Sequence, residues 1–190
     1  MARPRSFDPD EVLDIACDVF WRKGFQATSL DEVTAASGIA KPSLYAAFGN
    51  KSALFLKILN RYHEGILART ERVLSQHSSA REAIRQWLNG LLQSSRIKGQ
   101  RGCLSINAAT DGALDQDEFR TSIARYNRRL EGLLRARLRA DRAQFKKNFD
   151  PDLTAHTIMV VRAGLTSLAR QPPEPKKVKA IIHHLMALLP

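Results

Sequence analysis

The side chains best suited to contact a polyanion lie close together, between residues 41 and 51. Lys41 can give a charge-assisted hydrogen bond to a phosphate or to a guanine edge, Ser43 can bond either, and Tyr45 can reach a phosphate with its hydroxyl. Lys51 opens a longer predicted helix, whose free amides and dipole favour a phosphate. These residue types, following one another along short helices, favour contact with a nucleic acid.

A helix-turn-helix is the element that would hold these side chains in place. Leu30, Val33 and Ala36 face one way on a first short helix, Gly38 closes it, and Leu44 faces back from the second helix. Two short helices joined by a glycine-containing turn make this motif, and its second helix enters the major groove of DNA. The sequence therefore predicts that the outward side of the second helix contacts DNA.

Helical periodicity continues along almost the whole chain, and alternation with period two is nearly absent, which predicts an all-α protein of about nine helices. Capping residues bound the first helix, from Asp8 to Gly24. Later predicted helices cover 51–74, 80–98, 103–110, 116–147, 151–170 and 174–189. We expect two domains, a helix-turn-helix domain over residues 1–50 and a helical effector-binding and dimerisation domain over 51–190.

The positive charge of the chain lies mainly outside the helix-turn-helix. Lys and Arg number 30 against 19 Asp and Glu, but residues 1–60 hold seven of each sign. The excess is densest from Arg120 to Lys147, with ten basic residues against two acidic ones. This stretch is interpreted as a solvated helix face, as a site for an anionic ligand, or as a field that attracts DNA at long range.

Composition excludes several other classes of protein. Two cysteines, Cys17 and Cys103, cannot form a disulfide framework, and the five histidines are not spaced as metal ligands. There is no signal peptide, and no apolar run of about 18 residues that would span a membrane. No catalytic triad, carboxylate pair or phosphate-binding glycine loop is present. We expect a cytoplasmic protein without membrane association, metal, cofactor or enzymatic activity.

Several motifs, in order and with fitting spacing, resemble the TetR family of bacterial transcriptional regulators over residues 7–55. They are Phe20-Trp-Arg-Lys-Gly-Phe25, Ala27-Thr-Ser-Leu-Asp-Glu-Val33, Ala36-Ser-Gly-Ile-Ala-Lys-Pro-Ser-Leu-Tyr45, Phe48-Gly-Asn-Lys51 and Leu54-Phe55. The resemblance implies a three-helix DNA-binding domain and a helical domain that binds effectors and dimerises. Most members are repressors that a small molecule releases from DNA.

Carried over by position, the candidate DNA-binding residues are Thr28, Ser29, Lys41, Pro42, Ser43, Tyr45 and Lys51. Ala46 and Ala47 stand where many members have aromatic or polar residues, so base preference does not transfer. Arg3 and Arg5 precede the first helix, and this short basic arm either lies in a minor groove or against a phosphate, or touches nothing.

The segment from Arg101 to Ala109 resembles a Gly-Cys-Leu segment in a TetR subset that includes cysteine sensors of oxidants or electrophiles. Cys103 would lie in the first turn of a helix beside Arg101, and both would favour its thiolate. Alternatively, Cys103 is a small buried packing residue, as we expect for Cys17. Four further residues either line an effector pocket with Cys103 or are ordinary core: Trp87, Phe119, Tyr126 and Met159.

The last two predicted helices have wide apolar faces. These faces suit a four-helix bundle between two subunits, as the family resemblance implies, or packing within one subunit. The candidate dimerisation residues are Ile158, Val161, Leu165, Leu168, Ile182, Leu185, Met186 and Leu189.

Three functional hypotheses follow from these patterns. The first is a homodimeric regulator, expected to be a repressor, that binds a palindromic double-stranded operator and is released by a small-molecule or redox effector. The second is a small helical enzyme or carrier with an incidental helix-turn-helix. The third is an interaction protein that uses the basic 120–147 stretch on an anionic membrane. Sequence-specific DNA binding distinguishes the first from the others.

Overall fold

The computed structural model of the chain describes residues 7–97, 101–167 and 174–187, and this part is built from nine α-helices without a strand. The helices are α1 (Pro9–Lys23), α2 (Leu30–Ser37), α3 (Lys41–Phe48), α4 (Lys51–Ser75), α5 (Ala80–Ile97), α6 (Leu104–Thr110), α7 (Asp117–Ala140), α8 (Pro151–Ser167) and α9 (Pro175–Ala187). Short 3₁₀ turns follow α6 and α7, at Ala113–Asp115 and Arg142–Gln144. The all-α prediction is confirmed.

Local capping signals fix the ends of the first helices. The Ser29 hydroxyl accepts from the Glu32 amide while the Glu32 carboxylate accepts from the Ser29 amide, which completes the capping box before α2. Gly38 ends α2 at φ 68°, a left-handed conformation that glycine adopts without strain. The Asn50 side chain accepts from the Ala53 amide and begins α4. These local signals explain why this part of the chain was predictable.

Helix α7 is shorter than the sequence predicts, because it ends at Ala140 instead of continuing to residue 147. The buried Asp141 carboxylate accepts a hydrogen bond from the Ala80 amide at the start of α5 and pairs with Arg137 at 3.0 Å. Arg142 then donates to the carbonyls of Lys146 and Lys147. These contacts turn the chain away from the helical path.

Two apolar clusters form the core of the described chain. The N-terminal cluster joins α1, α2 and α3 to the first half of α4, and also takes in α6 and the start of α7. Phe119 of α7 packs edge-on against Phe25 and Phe55, with ring centroids 5.0 and 5.2 Å away. The C-terminal cluster joins the second half of α4 to α5, α7, α8 and α9. The predicted boundary at residue 50 marks the start of α4, but the N-terminal cluster continues beyond it.

The predicted dimerisation residues need correction. The structure buries five of them inside the C-terminal cluster of one protomer, and Val161 is partly buried against it; the five are Ile158, Leu165, Ile182, Leu185 and Met186. Sequence periodicity found an apolar face, but that face packs within the protomer. Leu168 and Leu189 lie outside the described residues. Within the described residues of α8 and α9, the large apolar side chains left in solvent are Leu153, Val160 and Ile181, which are 64%, 60% and 42% exposed.

Candidate nucleic-acid interface and buried polar cluster

Helix α3 presents one side to solvent and buries the other. Leu44 and Phe48 point into the N-terminal cluster, whereas Lys41 and Pro42 are exposed and Ser43 is partly buried. Tyr45 is 46% exposed, so its ring and hydroxyl are accessible to a partner. This geometry agrees with the predicted outward side of the helix.

Lys41 is held by a carboxylate on the preceding helix. Its Nζ lies 2.6 Å from Asp31 Oδ1, and both side chains are largely exposed. The hydrogen bond to Asp31 raises the pKa of Lys41 above its ordinary value. The ammonium is therefore a full charge at the tip of α3, and it must leave Asp31 or share it to bind a phosphate.

The structure places two predicted DNA-binding residues in structural roles instead. Thr28 is only 1% exposed, and its hydroxyl donates to the Gly24 carbonyl at 2.6 Å, so it has no surface to offer a partner. The Lys51 Nζ donates to the Gln26 carbonyl at 3.0 Å and lies 4.6 Å from the centre of the Phe25 ring, which ties α4 to the turn after α1. Arg3 and Arg5 lie outside the described residues.

The five predicted effector-pocket residues do not converge on one pocket. Phe119 belongs to the N-terminal cluster. Trp87 is core, with its indole N–H donating to the Thr70 hydroxyl at 2.9 Å, and Met159 is partly buried against the C-terminal cluster. Cys103 and Tyr126 are brought together, and the residue that joins them is Arg162.

A buried polar cluster lies where α4, α6, α7 and α8 meet. The His63 ring stacks on Tyr126 with centroids 4.2 Å apart, and its Nε2 lies 2.6 Å from the Ser105 hydroxyl. Its Nδ1 is 3.4 Å from the Ser122 hydroxyl. Burial lowers the pKa of His63 to about 4, and the nearby arginines Arg125 and Arg162 act in the same direction. The imidazole is therefore neutral near pH 7.

Arg162 is the charged member of this cluster, at 4% exposure. Its Nη2 donates to the Tyr126 hydroxyl at 2.7 Å and lies 3.8 Å from Cys103 Sγ, while the Tyr62 hydroxyl donates to the same sulfur at 3.6 Å. Its Nε has no hydrogen-bond partner, and no carboxylate of the described residues forms an ion pair with it. Sequence analysis missed Arg162, although an arginine one turn from Ile158 on the buried face of α8 was a usable signal.

The chain on either side of α6 is tied to the N-terminal domain. Arg101 pairs with Asp18 of α1 at 2.8 Å, and its carbonyl accepts from the Trp21 indole at 3.2 Å. After α6, the Asp111 carboxylate accepts from the Gln26 amide at 3.1 Å. The predicted support of the Cys103 thiolate by Arg101 therefore needs correction, since that side chain faces α1. The cation beside the sulfur is Arg162.

A groove of about 330 Å³ runs between α1 and α4. Tyr62 lines it and also contacts Trp21 edge-on, with ring centroids 5.2 Å apart. The other lining residues are Leu13, Asp14, Cys17, Ile58, Arg61, Gly65, Ile66 and Arg69. One phenol ring thus connects the groove to the buried sulfur of Cys103.

Comparison with known proteins shows which family this architecture belongs to. Residues 12–58 match the family described as bacterial regulatory proteins, tetR family. The chain is 32% identical over 180 residues to the uncharacterized HTH-type transcriptional regulator YezE of Bacillus subtilis strain 168, covering 90% of both proteins. It belongs to the TetR family.

Other TetR-family relatives match over the full length. The HTH-type transcriptional repressor ComR of Escherichia coli strain K12 is 28% identical over 192 residues, which cover 99% of this chain and 91% of ComR. The solved structure of the TetR family transcriptional regulator CifR, a cysteine mutant complexed with 26-bp double-strand operator DNA, is 30% identical, with a TM-score of 0.89 and complete coverage of both chains.

Part of the basic stretch of this TetR-family chain is paired: five of its ten basic residues form ion pairs with carboxylates, namely Arg120, Arg129, Arg135, Arg137 and Arg139. Arg129 binds Glu64 of α4, Arg139 binds Asp152 of α8, and Arg137 binds Asp141. These pairs support the interpretation of α7 as a solvated face. Within the described residues, no helix is long and apolar enough to cross a membrane, and no group of three or more His, Cys, Asp or Glu side chains could hold a metal ion.

Proposed function

We propose that this DNA-binding transcriptional regulator is a cytoplasmic, non-enzymatic repressor. As a homodimer it binds a palindromic double-stranded operator, and an effector acting in the C-terminal domain releases it. The observation that carries the proposal is the outward side of α3, where Lys41, Pro42 and Tyr45 are exposed on a helix whose other side is anchored in the core. CifR, similar over its full length, was solved with operator DNA.

The DNA-facing residues of this proposal are the outward residues of α3. The Lys41 ammonium and the hydroxyls of Ser43 and Tyr45 supply donors for phosphates and base edges. Ser29 is exposed as well, although its hydroxyl already caps α2. The outward residues of α3, with Ser29 at the start of α2, thus form a surface that would position the protein on the duplex and also contact bases.

The dimer interface of this proposal is the apolar surface left exposed on α8 and α9. Leu153 and Val160 lie two turns apart on the same side of α8, and Ile181 is an exposed apolar residue of α9. A two-fold partner would cover the same surface on both protomers. Two DNA-binding domains docked on one face of the duplex lie about 34–36 Å apart or at a multiple of that distance.

Operator binding tests the proposal. Intergenic DNA beside the gene is searched for an inverted repeat, and binding of a labelled duplex is followed by fluorescence anisotropy at several salt concentrations. We expect affinity to fall steeply with salt, and Tyr45→Ala to weaken operator binding by about 1–3 kcal/mol. Lys146→Ala, an exposed position far along the chain, is the control and should leave binding unchanged. Equal affinity for the inverted repeat and for random duplex would contradict the proposal.

The rival hypotheses are separated by the same experiment. An enzyme or carrier with an incidental helix-turn-helix would bind operator and random DNA alike. A membrane-binding protein would use the basic side chains of α7, and several of these, including Arg129, Arg137 and Arg139, already pair with carboxylates. Operator binding together with negligible binding to anionic vesicles is the result that we expect.

A further inference from the structure

We propose that the groove between α1 and α4 is a binding site for an amphiphilic carboxylate. The carboxylate pairs with Arg69, and the apolar body of the ligand lies towards Tyr62 and Trp21. The site is distinct from the outward side of α3. Because the ligand binds the free chain, its binding is measured without DNA and is independent of the proposed operator function.

The groove is formed by one face of each of the two helices. Helix α1 contributes the side chains of Leu13, Cys17 and Trp21, which recur at helical spacing, and α4 contributes residues between Ile58 and Arg69. The volume of about 330 Å³ falls within the range found for small-molecule sites, near its lower end. The space therefore suits a small organic molecule.

Gly65 opens the middle of the groove. It lies in the interior of α4, where glycine is less favourable than alanine. Neither a crowded neighbour nor a left-handed backbone requires glycine here, since no neighbouring atom lies within 4 Å of the place that a Cβ would take and φ is not positive. The missing side chain leaves open space along the wall of the groove.

Two arginines flank Gly65 along the same face of α4. Arg61, Gly65 and Arg69 are spaced at i, i+4 and i+8, which separates the two arginines by about 12 Å along the helix axis. The Arg61 guanidinium is held against α1 by the carboxylates of Asp10 and Asp14. The Arg61 end of the groove therefore already has its counter-charges.

Arg69 has no such partner at the other end. Its guanidinium forms no ion pair or hydrogen bond within the described part of the chain. The residues three and four positions away on α4, which are its neighbours on the helix surface, are Gly65, Ile66, Arg72 and Val73. A second arginine and no carboxylate at these positions make this end of the groove attractive to an anion.

Apolar surface lies beside the unpaired arginine. Tyr62 and Trp21 contact each other edge-on, with ring centroids 5.2 Å apart, and both line the groove. Leu13 and Ile66 also line it and are partly buried, so each leaves apolar surface open to solvent. A ligand body that covers this surface removes it from water, which stabilises the complex. An inorganic anion would not use this part of the groove.

A carboxylate is the head group that fits the charges best. The planar guanidinium of Arg69 matches the two coplanar oxygens of a carboxylate, with two parallel hydrogen bonds. A single unpaired guanidinium balances a single negative charge. Further negative charge at the opposite end of the ligand would meet Asp14, which also lines the groove. These features favour a monoanion with an apolar body.

The position of the groove gives the ligand contacts with both apolar clusters. Leu13, Cys17 and Tyr62 pack against the N-terminal cluster, whereas Ile66 packs against the C-terminal cluster. A bound carboxylate would therefore touch α1 of the DNA-binding domain directly, in addition to α4.

Isothermal titration calorimetry of the free chain with 4-phenylbutyrate tests the site. The analogues 4-phenylbutanol and 4-phenylbutylamine have the same apolar body with no charge and with the opposite charge. We expect the carboxylate to bind more tightly than the alcohol, and the alcohol more tightly than the amine. Absence of carboxylate binding at millimolar concentration, or tighter binding of the amine, would overturn the proposal.

Removal of the unpaired charge tests the role of Arg69. Arg69→Gln should weaken binding of 4-phenylbutyrate about threefold to tenfold and leave 4-phenylbutanol nearly unchanged, because only the carboxylate uses the charge. Arg72→Gln, which removes an arginine on the next turn that does not line the groove, is the matched control and should have a smaller effect. Equal carboxylate affinity in Arg69→Gln and wild type would contradict the pairing.

Filling the groove tests its location. Gly65→Leu places a side chain in the open space and improves helix propensity, so it should fold at least as stably as wild type and lose binding of both the carboxylate and the alcohol. Gly132→Leu is the matched control, since Gly132 also lies inside a helix, α7, with no atom within 4 Å of its Cβ position. Circular dichroism verifies that both variants fold. Wild-type binding by Gly65→Leu, or equal loss in Gly132→Leu, would place the ligand elsewhere and overturn the proposal.

Discussion

The two apolar clusters of this protein differ in what they bury. In the N-terminal cluster the packing is dominated by phenylalanine rings, and Thr28 is the buried polar residue of the described DNA-binding domain. Around the C-terminal cluster lie His63, Ser105, Ser122 and Arg162, all buried. The first arrangement is almost entirely apolar, whereas the second contains a group, His63, whose protonation changes the charge inside the protein. The DNA-binding domain is therefore apolar at its centre, and the C-terminal domain is polar at its centre.

The largest effect that we expect distinguishes the buried apolar face of the C-terminal domain from its exposed apolar face. Leu165→Arg places a charge inside the C-terminal cluster and should cost about 5 kcal/mol of folding stability, enough to unfold the chain. Val160→Arg lies on the exposed face and should leave the fold intact while separating the dimer. Circular dichroism and light scattering measure the two outcomes. A folded, dimeric Val160→Arg protein would place the interface elsewhere.

The next effect concerns the residue that joins α7 to the N-terminal cluster. Phe119→Ala removes a ring that packs on Phe25 and Phe55, and should lower the free energy of unfolding by about 3–5 kcal/mol. Thr121→Ala, at an exposed position of the same helix, is the control for chemical denaturation and should change little. A loss below about 1 kcal/mol in Phe119→Ala would mean that the two clusters are packed independently.

The polar centre of the C-terminal domain should make stability depend on pH. The pKa of His63 is about 4 in the folded chain against about 6.5 when unfolded, so below pH 6.5 the unfolded chain binds the extra proton first. The His63 contribution is therefore fully present above pH 6.5 and is lost as pH falls towards 4, by about 3 kcal/mol. Urea denaturation at several pH values measures the slope.

His63→Gln is the matched comparison, since it keeps a hydrogen-bonding side chain without the titration. We expect its stability to change less than that of the wild type between pH 6.5 and 4. Parallel curves for the two proteins would show that His63 takes up its proton in the folded state as readily as in the unfolded chain.

Sequence patterns predicted the DNA-binding domain well because its signals are local. Ser29, Gly38 and Asn50 cap helices within a few residues of themselves, and the side of α3 that Leu44 anchors follows from helical periodicity. Tertiary contacts were not visible in these patterns. Thr28 and Lys51 are polar and near the predicted interface, and tertiary partners at Gly24, Gln26 and Phe25 engage them.

The buried polar cluster was not predicted, for a different reason. Tyr62, Cys103 and Arg162 come from three helices that are distant in sequence, and no spacing rule relates them. Periodicity also identified apolar faces on α8 and α9 without showing which partner they face. On α8, Ile158 is buried in the protomer core while Val160 is exposed, so the apolar residues of this helix are not confined to its buried face.

The smallest effect that we expect lies in the DNA-binding domain, at the carboxylate that holds Lys41. Asp31 pairs with Lys41 at 2.6 Å in the free protein, and exposed ion pairs of this kind are weak. Asp31→Asn removes a competitor for the ammonium and a negative charge that repels phosphates. We expect operator affinity to rise about twofold to fivefold at low salt, and the gain to shrink as salt screens both charges. Asp117→Asn is the matched control, since Asp117 also pairs through an exposed carboxylate, with Arg120 at 3.0 Å, in the first turn of a helix. Weaker operator binding by Asp31→Asn would show that the pair positions Lys41 for DNA instead of competing for it.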